Sequence, residues 1–96
     1  MTAGLPDSAG SETDVIVVRY WAAARAATGH TTETVPAPTT LEALIDELGR
    51  RHPDAARVLA VCSVLVGDQP VGTTDPSAVP LPPGSTVEFL PPFAGG

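Results

Sequence analysis

Apolar residues in this chain come in short runs of strand length, interrupted once by a longer stretch with helical spacing. The run Val15-Ile16-Val17-Val18-Arg19-Tyr20-Trp21 is β-branched and aromatic, which predicts a first strand, buried on both faces and central in its sheet. The segment from Ala22 to His30 turns the chain at Gly29. Thr31 to Ala37 then alternates polar and β-branched groups until Pro36 and Pro38 stop the pairing, so a second strand forms a hairpin with the first. Thr39 with Glu42 three residues on reads as a capping box, each side chain satisfying the other's exposed backbone N–H. Leu41, Leu44, Ile45 and Leu48 follow at the i, i+3, i+4, i+7 spacing that lines one helix face, with Glu42, Asp46, Glu47 and Arg50 mostly on the other. Arg50 and Arg51 suit the negative end of the helix dipole, and Pro53 ends the helix near His52.

Residues 54–60 add a short helical turn, and 62–72 read as a strand, a tight turn at Gly67-Asp68 and a short return strand that Pro70 marks as an edge. Residues 73–85 form a long proline-rich loop, closed by a turn at Pro83-Gly84. Thr86 to Leu90 is the last strand. First and last strands become parallel neighbours only if the helix supplies the crossover. The expected fold class is therefore α+β: a β-grasp, ubiquitin-like domain with a mixed sheet of about five strands packed on one main helix. It spans residues 14–90, between a disordered N-terminal leader, 1–13, and a flexible C-terminal tail, 91–96.

With 96 residues and 43% apolar composition, the chain suits one domain with a single core. Eleven acidic residues oppose five arginines, for a net charge of −6 with no lysine. That balance argues against nucleic acid, which needs a cationic patch, and allows docking on a basic protein partner as well as plain solubility. Cys62 is the single cysteine, so neither an internal disulfide nor a four-cysteine metal site can form. The chain shows no signal-peptide pattern and no apolar run near the ~20 residues of a membrane span, so a cytoplasmic protein without a membrane partner is expected.

The chemistry points to the C-terminus. Gly-Gly alone is weak, since at ordinary glycine usage it ends about one chain in two hundred by chance. Here it follows the last strand directly, is stiffened by Pro91-Pro92, and carries one large apolar anchor, Phe93, before Ala94. Fully extended, residues 91–96 reach at most about 20 Å, enough to enter another protein's active site. Without side chains at Gly95 and Gly96, a narrow tunnel can close around the backbone. The reactive group is the Gly96 carboxylate, a poor electrophile until ATP adenylates it. The acyl-adenylate then passes to a thiol, an amine or a sulfur donor, with catalytic stabilisation supplied by a partner. The chain is thus expected to be a substrate rather than an enzyme, with no catalytic residue and no bound cofactor of its own.

The ending Phe89-Leu90-Pro91-Pro92-Phe93-Ala94-Gly95-Gly96 resembles the MoaD/ThiS sulfur-carrier family, and within it the molybdopterin-synthase small subunits more than the thiazole-synthesis carriers, which usually lack the double proline. Tyr20, Trp21, Ala22 and Arg25 match the family's opening strand, and the likeness covers about residues 15–96. Ala26 and Gly84-Ser85 depart from the family's acidic residue and Gly-Asp turn. The resemblance implies that a MoeB-like enzyme uses ATP to adenylate Gly96, which becomes a thiocarboxylate. The tail then inserts into a MoaE-like large subunit and gives sulfur to a pterin precursor in molybdenum-cofactor synthesis, within a heterotetramer of two small and two large subunits. It further implies that Trp21, Leu90, Pro91, Pro92, Phe93 and Ala94 contact the partner. Three rivals remain open: a carrier for thiazole or cysteine synthesis, a ubiquitin-like protein modifier, and a passive β-grasp binding module.

Among the other residues, Trp21 fits an interface anchor and a core residue equally well. Arg25 suits a structural pairing with a local carboxylate more than a role in fixing the tail, Cys62 an inert, half-buried thiol, and His30 and His52 polar turns without a convergent ligand set.

Overall fold

The computed structural model describes residues 14–92. The first strand, β1 (Val15–Tyr20), buries Ile16, Val18 and Tyr20 while Val15 and Val17 keep part of their exposure and Arg19 is open. The two-face burial expected for this strand is therefore replaced by the inside-outside alternation of a sheet covered on one side. The strand is nevertheless central. It runs antiparallel to β2 (Thr32–Pro36) and parallel to β7 (Thr86–Leu90); with β4 (Ser63–Val66) and β5 (Gln69–Pro70) they form a five-stranded sheet of order β2-β1-β7-β4-β5.

Between β1 and β2 the chain forms a helix, α1 (Ala22–Thr28), where the sequence reading expects only a turn. Its alanines favour helix, but they leave no periodic row of large apolar groups to announce one. It buries Ala24 and Thr28, and the Thr28 hydroxyl donates to the Ala24 carbonyl at 3.0 Å. Gly29 ends it in the left-handed region, φ 78°, where its N–H donates to the Arg25 carbonyl at 2.9 Å.

The main helix, α2 (Leu41–Arg51), buries Leu41, Leu44 and Leu48, the stripe its spacing predicts. Full burial of each leucine is worth about 1.5–3 kcal/mol. Its cap is Thr40, not Thr39: the Thr40 hydroxyl accepts from the Ala43 N–H at 3.1 Å. Thr39 and Thr40 form a short strand, β3, paired with β6 (Pro80–Leu81), which carries extended backbone one residue further than the capping box requires. The helix closes at His52, as expected.

A 3-10 turn (Pro53–Ala55) and a short helix, α3 (Ala56–Ala60), lead to β4 (Ser63–Val66) and its hairpin partner β5 (Gln69–Pro70). The proline-rich segment holds a second 3-10 turn (Pro76–Ala78) and β6, so it is more ordered than a plain loop. Gly84, φ 89°, turns the chain into β7, which lies between β1 and β4. The core fills the space between sheet and helices, with Tyr20, Phe89, Ile16, Leu41, Leu44, Leu48 and Leu81 its largest buried side chains. One mixed five-stranded sheet grasping one main helix is the β-grasp arrangement. Both sheet edges resist further pairing: β5 has two residues, one a proline, and on β2 Pro36 lacks an N–H while Arg51 Nη1 donates to the Thr34 carbonyl at 2.9 Å. Among the described residues no helix is long and apolar enough to cross a membrane.

Candidate functional site: the root of the C-terminal tail

β7 delivers the C-terminal segment from the middle of the sheet. It pairs with β1 through Tyr20↔Phe89 and with β4 through Ser63↔Leu90, so the strand is held on both sides up to its last residue. Pro91 and Pro92 lack the N–H that would extend the ladder, and the pairing stops there. Leu90 and Pro91 are half-buried and Pro92 is exposed. Phe93, Ala94, Gly95 and Gly96 lie outside the described residues.

Trp21 sits beside this root and is 42% exposed, which removes the core option for it. It is tied to β7 twice. Its backbone N–H donates to the Phe89 carbonyl at 3.2 Å, adding one rung to the parallel ladder, and its indole Nε1–H donates to Glu88 Oε1 at 2.8 Å. The Arg19 guanidinium carbon lies 5.5 Å from the indole centroid, within cation–π range. The following residue, Ala22, has φ 49°, a left-handed conformation that costs an alanine about 1–2 kcal/mol. That turn folds α1 back toward the sheet immediately after Trp21.

The strand alternation collects these residues on one surface. Val17, Arg19, Thr86, Glu88 and Leu90 point away from the helices, in registers Val17↔Thr86 and Arg19↔Glu88, and Leu65 of β4 stands beside Glu88. Half-buried Val17, Leu65 and Leu90 thus surround a charged pair and an exposed indole. Arg19 and Glu88 are absent from the residues that the sequence singles out. The available signal is one charge in each of two otherwise apolar strands, Val-Val-Arg-Tyr and Val-Glu-Phe.

The inner face at the same end of β1 carries a different polar group. Tyr20 donates to Glu33 Oε2 at 2.5 Å, His52 Nε2 meets the same oxygen at 2.6 Å, and Arg51 Nη1 donates to Glu33 Oε1 at 3.0 Å. Arg51 is itself held by Glu47 at 2.9 Å. Burial pushes the Tyr20 phenol well up, and the Glu33 carboxylate that accepts its proton adds to the rise. For Glu33, burial alone would raise the carboxyl, but the hydrogen bonds from Tyr20, His52 and Arg51 outweigh it and hold the group below the usual carboxylate range. His30 packs on His52 with ring centroids 5.2 Å apart. His52 is therefore a structural partner of Glu33 rather than a residue of an open turn.

Arg25 is exposed and, among the described residues, makes no ion pair, so the carboxylate expected for it is not found. Cys62 is half-buried, its thiol donates to the Val58 carbonyl at 3.2 Å, and burial pushes its pKa up, which suits an unreactive thiol. It borders a groove of about 490 Å³ lined by Leu41, Ile45, Leu59, Val64 and Val71. That groove lies at the β4–β5 side of the helix and reaches Ser63, the residue paired with Leu90. Among the described residues no three His, Cys, Asp or Glu side chains converge as a metal ion would require.

The fold together with the strand-borne tail defines the class: a small ubiquitin-like β-grasp domain that presents its C-terminal segment from a central strand. The chain belongs to the ThiS family, whose model matches residues 18–96. It is 36% identical over 80 residues to the molybdopterin synthase sulfur carrier subunit of Aspergillus niger, covering 82% of this chain and 91% of that protein. Among solved structures it resembles small archaeal modifier protein 1 from Methanosarcina acetivorans, with a TM-score of 0.73, 16% identity, and coverage of 85% of this chain and 96% of that one. It also resembles a chain in the complex of subunits 1 and 2 of molybdopterin-converting factor from Helicobacter pylori, with a TM-score of 0.62, 22% identity, and coverage of 85% and 99%. These two likenesses are of fold.

Proposed function

We propose that the chain is the sulfur carrier of molybdopterin synthesis, the small subunit of the synthase, with Gly96 as the atom-bearing end. The observation that carries this reading is the ending Pro91-Pro92-Phe93-Ala94-Gly95-Gly96, set directly after a strand anchored on both sides. The relationship to the Aspergillus niger carrier subunit supports the choice of pathway.

In this reading a Gly96 carboxylate oxygen attacks the α-phosphorus of ATP within a MoeB-like partner, and pyrophosphate leaves. Hydrosulfide released by a sulfur donor then attacks the acyl carbon, AMP leaves as the old carbon–oxygen bond breaks, and a thiocarboxylate results. The tail next enters a MoaE-like large subunit, where the sulfur passes to the pterin precursor. Two carriers and two large subunits in one assembly would serve the two sulfurs of a dithiolene. Catalytic groups belong to the partners: this chain supplies reach through 91–96, thinness at Gly95 and Gly96, and a docking surface around Trp21, Leu90, Pro91, Pro92, Phe93 and Ala94.

The test is the intact mass of the full chain after incubation with the MoeB-like enzyme, ATP and a sulfur source. The expected result is a mass increase equal to one oxygen-for-sulfur exchange at Gly96. An unchanged C-terminus under conditions that convert a control carrier would refute the reading, and Gly96 linked to lysines of other proteins would favour a modifier instead.

A further inference from the structure

Arg19 and Glu88 are direct neighbours across the parallel β1–β7 ladder, yet no ion pair joins them. Opposite charges at neighbouring positions of a strand pair attract each other only modestly, so a competing contact can take either of them. Here the Trp21 indole takes part of each: its N–H occupies Glu88 Oε1, and its ring carries the Arg19 guanidinium. Among the described residues Arg19 has no carboxylate within salt-bridge distance, and Glu88 Oε2 has no hydrogen-bond donor. The indole thus engages both charges, and among the described residues neither has a charged partner.

Their surroundings are those of an interface. Val17, Leu65 and Leu90 flank the pair, and Leu90 is continuous with Pro91 and Pro92. A protein that takes in the tail as far as Gly96 must press against the surface from which the tail departs. Charges enclosed by a closing apolar rim lose water and must be met by opposite charges, so they discriminate between partners more than they add affinity.

We propose that Arg19 and Glu88, both engaged by Trp21, are the residues by which this carrier selects its large subunit. The partner surface would set a carboxylate against Arg19 and a guanidinium or ammonium against Glu88, around an apolar patch fitting Leu65 and Leu90. The inference rests on the large-subunit partnership proposed above and adds which residues of this chain decide the match. Arg19 and Glu88 do not touch the reacting carbon and act only on docking.

The experiment titrates the full chain against the large subunit of molybdopterin-converting factor from the same organism. Four chains are compared: wild type, Arg19→Ala, Glu88→Gln, and the double swap Arg19→Glu/Glu88→Arg. Thermal melts check folding; should the swap unfold, the two neutralised chains carry the test. Each neutralisation is expected to weaken binding at least about tenfold, and the swap about a hundredfold or more. Glu88→Gln keeps an acceptor oxygen for the Trp21 indole N–H, so a purely structural role for Glu88 predicts that this chain binds like wild type. Recovery in the swap, or wild-type affinity in the neutralised chains, overturns the proposal. If wild type does not bind although Gly96 is converted to the thiocarboxylate, the large-subunit partnership itself falls, and this inference with it.

Discussion

Along β1 and β7, Ile16, Val18, Tyr20, Val87 and Phe89 face the helices with almost no solvent exposure, whereas Val17, Arg19, Thr86, Glu88 and Leu90 on the other face keep part of theirs. The contrast is sharpest at two adjacent aromatics. Tyr20 is 1% exposed, packs on Phe89 and donates to Glu33, while Trp21 is 42% exposed and braces a charged pair at the tail root. Inner residues satisfy each other, whereas among the described residues the outer charges Arg19 and Glu88 have no charged partner. The division separates what keeps the domain folded from what a partner reads, and substitutions on the two sides should fail in different ways.

The largest effect expected belongs to the C-terminal tail and involves no loss of fold. Gly95→Val should abolish sulfur loading, by about a hundredfold or more, because a β-carbon cannot enter a channel closed around backbone. The melting temperature should stay within about 1 °C of wild type, since position 95 follows the last strand in sequence and the described core is built without it. Loading rate and thermal melt, measured on the same sample, check the pair.

Phe89→Ala attacks the inner side one residue from the root. It should cost about 3–5 kcal/mol, the range for emptying a large buried aromatic, and urea unfolding reads it as a lower midpoint. A loss below about 1 kcal/mol would break the assignment of Phe89 to the core.

Glu33→Gln removes the charge that Tyr20, His52 and Arg51 share, and should cost about 1.5–3 kcal/mol near neutral pH. The sign of the pH effect follows from the lowered folded-state pKa. Glu33 contributes fully above the ordinary glutamate value of about 4.3, and that contribution is lost as pH falls through the lower value held in the fold. Wild type and Glu33→Gln should therefore converge in stability as acid is added, with parallel curves counting against a charged Glu33.

The smallest effect discriminates between neighbours. Thr40→Ala should cost about 1 kcal/mol through the lost N-cap, and Thr39→Ala only a few tenths, a difference that denaturant midpoints resolve.

Much of the inner side was legible from the chain because burial imposes periods. The 3.6 spacing of Leu41, Leu44 and Leu48 and the strand order predicted the β-grasp sheet that is found. Local features were harder. Helix α1 escaped because alanines carry no amphipathic signal, and the cap moved from Thr39 to Thr40 because pairing with β6 cannot be seen locally. At the candidate site, Trp21 and Leu90 were readable as partner contacts through the family likeness. Arg19 and Glu88 were not, because their juxtaposition depends on a parallel register between residues from opposite ends of the chain. The Tyr20–Glu33–His52 group was invisible because it depends on where the end of α2 meets the β1–β2 hairpin.

The account stands on the tail as the carrier of sulfur, and the most direct measurement follows that sulfur. Thiocarboxylated chain, incubated with the MoaE-like large subunit and the pterin precursor, should return to its original mass by exchanging one sulfur for oxygen, with the sulfur recovered in the pterin. A thiocarboxylate that persists through complete binding to the large subunit, with no sulfur in the pterin, would contradict it.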